Sequence, residues 1–74
     1  MSRTNRTNWG LLLDGGYGQV LTDWSTGNLS TRQVTDVLSF TTAAGEFRNL
    51  VRTYGTDYAR RNARKALRYR GVNV

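Results

Sequence analysis

Residues 58–74 carry six positive side chains and no acidic one: Arg60, Arg61, Arg64, Lys65, Arg68 and Arg70. On a helix turning about 100° per residue, the first five fall within an arc of roughly 140°. Arg60, Arg64 and Arg68 make one i, i+4, i+8 row, and Arg61 and Lys65 make the row beside it. Across the helix lie Ala59, Ala63, Ala66 and Leu67, flanked by Tyr58 and Tyr69. The segment therefore reads as an amphipathic helix whose small-residue back lets it pack closely on other helices. Like charges at i, i+4 cost an isolated helix a few tenths of a kcal/mol per pair. A face that accepts that cost several times over is expected to meet an anion, and nucleic-acid phosphate is the leading candidate.

The remaining composition narrows the chemistry. The chain has 74 residues and no cysteine, histidine or proline. That length allows one small domain, burying only about 60% of its unfolded surface. Without cysteine there is neither a disulfide nor a thiolate metal site, and without histidine the commonest general base and nitrogen ligand are missing. A catalytic site would have to be assembled from five scattered carboxylates, tyrosines and hydroxyls, so neither enzyme activity, a cofactor nor a metal site is expected. No small-molecule substrate is evident. The longest apolar run, Leu11-Leu12-Leu13, is far short of the ~20 residues of a membrane span and too short for a signal-peptide core. The expected location is the cytoplasm or the interior of a virus particle.

The net charge of +6 is unevenly placed. Residues 1–8 contribute +2 through Arg3 and Arg6, and residues 58–74 contribute +6. Residues 9–57 set Arg32, Arg48 and Arg52 against Asp14, Asp23, Asp36, Glu46 and Asp57, a balance of −2. A near-neutral body thus has two basic ends. Lys65 is the lone lysine among eleven cations, and the planar fork of arginine suits bidentate phosphate contact.

The expected fold is mainly α, a bundle of three helices over about residues 31–40, 43–54 and 57–70. A Gly-rich segment precedes it. In domain terms, residues 1–8 form a flexible basic arm, 9–71 a single small helical domain and 72–74 a tail. Within residues 9–27, Gly15, Gly16 and Gly18 interrupt any regular element. Val20, Leu21 and Trp24 then fit a short helix over Gly18–Ser25, with a hairpin pairing Leu11–Leu13 and Gln19–Thr22 as the alternative. The glycines are not a phosphate loop, because the Gly-Lys-Ser/Thr ending is missing. Further on the signals sharpen. Ser30-Thr31-Arg32-Gln33 is a capping box, followed by Val34, Val37 and Leu38. Thr42 is placed to cap the next helix, whose stripe is Phe47, Leu50, Val51 and Tyr54. Gly55 is placed to end that helix, Thr56 to cap the last one and Gly71 to end it.

Residues 30–55 resemble a helix-turn-helix over about a third of the chain. Val34, Leu38 and Phe40 stand at its apolar positions, and Thr42 where a recognition helix opens. Gly45 and Arg48 depart from the pattern, as do Thr35 and Ser39. Generic three-helix packing explains the same apolar residues, so nucleic-acid contact is assigned to the last helix. Arg60, Arg61, Arg64, Lys65 and Arg68 are the main candidates, with Arg48, Arg52, Arg3 and Arg6 secondary. Tyr54, Tyr58 and Tyr69 either close the core or stack bases. Trp9 and Trp24 are anchors, for this small core or for a partner.

Two functions compete. The first is a non-catalytic protein binding DNA or RNA through its phosphates. The second is a structural or assembly subunit, for example a small phage or virus particle protein, that binds an acidic protein partner or packaged genome. A membrane-surface helix ranks last, because an alanine face with one leucine offers little insertion area.

Overall fold

The computed structural model describes the backbone of residues 4–74 and the side chains of residues 9–74. Among the described residues five helices follow one another: α1 (Thr4–Asp14), α2 (Gly18–Ser25), α3 (Thr31–Leu38), α4 (Ala43–Tyr54) and α5 (Thr56–Tyr69). Helix takes up most of the described residues, and no strand occurs among them. The mainly α class therefore holds, with five helices in place of three. Helices α3 to α5 answer to the three expected from the sequence, α3 ending at Leu38 instead of near Phe40. Helix α2 takes the Gly18–Ser25 span, which removes the hairpin alternative.

Helix α1 is the element that sequence reasoning did not anticipate. Its Leu11-Leu12-Leu13 run has no helical period, and Gly10 weakens it further. Packing decides the matter, because Trp9 and Leu12, three residues apart, both drop into the core while Leu11 stays exposed. The expected basic arm overlaps this helix: residues 4–8 are its opening turn. Residues 1–3 and the side chains of 4–8, Arg3 and Arg6 included, lie outside the described residues.

The helix ends are set by local hydrogen bonding. At α3 the capping box forms in full: the Gln33 amide donates to Ser30 Oγ (3.0 Å) and the Ser30 amide to Gln33 Oε1 (2.8 Å). The α4 start differs from expectation. Thr42 has αR backbone and makes no side-chain cap. Thr41 takes the role, its hydroxyl accepting from the Ala43 amide (3.1 Å) and donating to the Leu38 carbonyl (2.8 Å). Gly55 stands between α4 and α5 at φ 83°, and Thr56 is already the first residue of α5. At the end of α2, Gly27 takes φ 93°, where its amide donates to the Trp24 carbonyl and the Asn28 amide reaches back to the Asp23 carbonyl. That pair of bonds is a Schellman closure, and α1 and α5 end the same way at Gly16 and Gly71.

The core collects one face from every helix. Trp9 and Leu12 come from α1, Leu21 and Trp24 from α2, Val34 and Leu38 from α3, Ala44, Phe47 and Leu50 from α4, and Ala59, Ala63 and Leu67 from α5. Trp24 lies at its centre, 6.0 Å from the Trp9 ring and edge-on to Phe47 at 4.9 Å. Both indoles are satisfied: Trp9 Nε1 donates to Asn62 Oδ1 (2.9 Å) and Trp24 Nε1 to Thr31 Oγ1 (3.0 Å). The alanines of α5 bring its axis close to α2, its most extensive partner. Val37 and Phe40 escape the core. The apolar turn position that the helix-turn-helix resemblance assigns to Phe40 is therefore at the surface.

Candidate nucleic-acid interface

The five cations of the α5 arc do not share one environment. Arg60 Nε donates to the Trp24 carbonyl (2.9 Å) and its Nη2 to the Leu29 carbonyl (3.2 Å). Its guanidinium also lies 5.3 Å from the centroid of the Trp24 ring. Arg64 Nη1 donates to the Ser25 carbonyl. These carbonyls lie at the end of α2 and in the loop after it, where acceptors keep spare lone pairs and the dipole is negative. Arg60 and Arg64 thus fasten α5 to the C-terminal end of α2, and both are half-buried. The sequence reading put them first among phosphate ligands, but the fold already supplies their acceptors.

Arg70, outside the arc, has a similar bracing role. Its Nη1 meets Asp14 Oδ1 at 2.8 Å, joining the end of α5 to the end of α1. Gly10 leaves room for this guanidinium, since a Cβ there would sit 3.1 Å from Arg70 Nη2.

The other side of the arc is open. Lys65 is exposed, and so are Arg61 and Arg68. Arg61 lies 5.7 Å from the Tyr58 ring centroid, and Tyr58 in turn meets Tyr54 edge-on at 5.5 Å. Arg68 Nε donates to the Val74 carbonyl (2.9 Å) on the surface, which leaves its other guanidinium donors to solvent. On α4, Arg48 and Arg52 are exposed and four residues apart. Neither they nor Lys65 has a hydrogen-bond or ion-pair partner among the described residues. Asp57 shares the Arg61 row without pairing with it. Trp9 and Trp24 are 1% and 0% exposed, so in this fold both anchor the core and present no ring face to a partner.

Sequence reasoning missed the bracing arginines, and the signal was in the helical wheel. Arg60 points only about 20° from Leu67, and Arg64 about 60°, so both border the buried stripe. Arg61, Lys65 and Arg68 lie farther round.

The fold and these side chains define a small, mainly helical, compact protein with a near-neutral body and a cationic outer face on its last helix. Comparison with protein-family models, curated proteins and solved structures finds no match to the chain. Among the described residues no helix is long and apolar enough to cross a membrane.

Proposed function

We propose that this chain is a non-catalytic nucleic-acid-binding protein that holds the phosphate backbone of DNA or RNA. Arg61, Lys65 and Arg68 of α5 make the contact, extended by Arg48 and Arg52 of α4. The observation that carries this reading is the division among the cations. Folding engages Arg60, Arg64 and Arg70 internally, yet Arg48, Arg52, Arg61 and Lys65 have no carboxylate or carbonyl partner among the described residues. Contacts of this kind fix position on a strand and carry no sequence information.

The test is a salt titration of binding to duplex DNA, with RNA in parallel. Five phosphate contacts give a slope of about −4.5 in log K against log salt, at about −0.9 for each contact. Tight binding at low salt that collapses at moderate salt is expected. Absence of binding to either nucleic acid at low salt refutes the reading.

One observation favours assembly as a second reading. Phe40 is 96% exposed and Val37 beside it 53%, an apolar projection at the α3–α4 turn that a protein neighbour can cover. If it does, sedimentation shows association that rises with protein concentration and is abolished by Phe40→Ser. A monomer at all concentrations, indifferent to that change, removes self-assembly.

A further inference from the structure

We propose that the cleft between α1 and α5 takes an unpaired nucleobase of a single strand, stacked on Tyr69, with the adjoining phosphate held by Lys65. The inference rests on the phosphate-binding reading and names the form of nucleic acid that the same helix prefers.

The cleft has a volume of about 800 Å³, and Leu11, Leu13, Ala66 and the edge of Trp9 supply its apolar walls. Tyr69 stands at its mouth, 91% exposed, and Leu11 opposite is 59% exposed. An isolated exposed aromatic needs no explanation, but here it borders an apolar cavity with a cation on the same wall. Lys65 lines the cleft one helical turn before Tyr69 and has no hydrogen-bond or ion-pair partner among the described residues. Arg70, fixed to Asp14, also lines it.

The occupant follows from charge and shape together. The walls reward a flat apolar face, and the rim rewards an anion beside it. Arg61, Lys65 and Arg68 rise about 6 Å and then about 4.5 Å along α5, so the cations are spread along the helix and do not crowd one point. In a duplex the base faces are stacked on one another and cannot enter, whereas a single strand offers them freely. Aromatic side chains set among cations are the arrangement by which single strands are held without sequence preference. An acidic peptide would satisfy the cations but offers no repeating flat face to Tyr69.

The experiment compares fluorescence anisotropy of a labelled oligothymidylate and a labelled duplex at low salt, using the full chain. Tyr69 is exposed, so Tyr69→Ala leaves the fold intact. It should weaken single-strand binding on the order of 5- to 150-fold, the value of one lost base stack. Duplex affinity should stay within about twofold, because the phosphate contacts remain. Tyr69→Phe should bind as the parent does, and Leu11→Glu should weaken the single strand by adding to the cleft a second carboxylate that, unlike Asp14, has no arginine paired with it. Unchanged single-strand affinity in Tyr69→Ala overturns the inference, as does an equal loss on both nucleic acids. If duplex binds well and the tyrosine variants are neutral, the cleft site fails while the phosphate reading stands. If neither nucleic acid binds, both fail.

Discussion

Arg60→Ala is expected to lower the unfolding free energy by about 2–3 kcal/mol, the value of charged hydrogen bonds to buried acceptors. In a chain of this size that is a fall in melting temperature on the order of 10–20 °C. The change removes the donors to the Trp24 and Leu29 carbonyls and the cation over the Trp24 ring. The Trp24 carbonyl keeps the Gly27 amide, whereas the Leu29 carbonyl loses the donor that Arg60 gives it. Arg60→Lys should recover part of the loss, since one ammonium cannot reproduce two donors in a planar fork. Arg61→Ala, one residue away on the open side, should stay within about 0.5 kcal/mol of the parent. Thermal melts of the three variants followed by circular dichroism read these differences. Equal melting temperatures for Arg60→Ala and Arg61→Ala would refute the bracing role.

Trp24→Ala should do more damage still. Truncating a buried tryptophan costs about 3–5 kcal/mol. At about 0.05–0.15 kcal/mol per residue, the whole domain has on the order of 4–11 kcal/mol of stability. The ring contacts Trp9 and Phe47 and lies under the Arg60 guanidinium, and its Nε1 holds Thr31. Its loss therefore loosens α1, α3, α4 and α5 at once. A melting temperature below that of Arg60→Ala is the expected outcome, the change removing a large share of that stability and, on mild heating, helical ellipticity. Trp24→Phe keeps a ring against Phe47 and forfeits the indole bond to Thr31, so a smaller loss and a cooperative melt are expected. A stable, cooperative Trp24→Ala would mean that the centre of the core lies elsewhere.

Much of the second half of this fold was legible because its signals are local. The Ser30–Gln33 box, the glycine at 55 and the glycine at 71 act within a few residues of themselves, and each marks a boundary in the structure. The first half depends on contacts far apart in sequence. Nothing near Trp9 announces that its indole will meet Asn62, 53 residues later, so α1 had no periodic signature to read. Side chains at the margin of a helical face were the other difficulty. Val37 sits beside Val34 and Leu38 in the expected stripe yet faces solvent, because α3 buries only a narrow edge. On α5 the error ran the opposite way. Charge sign alone groups Arg60 and Arg64 with Arg61 and Lys65. Angular distance from Leu67 separates them, and that distance was available in the sequence.

The proposed contact face is smaller than the charge count implies, and its role can be isolated from that of the bracing arginines. Arg61, Lys65 and Arg68 can be changed together to alanine without touching the α2 terminus or the core. The decisive measurement is the salt dependence of duplex DNA binding by this triple variant and by the parent, with melting temperatures taken on the same samples. The expected result is a slope flatter by about 2.7, three contacts at about 0.9 each, with the melting temperature within a few degrees of the parent. An unchanged slope in a folded variant would contradict phosphate binding by the outer face of α5.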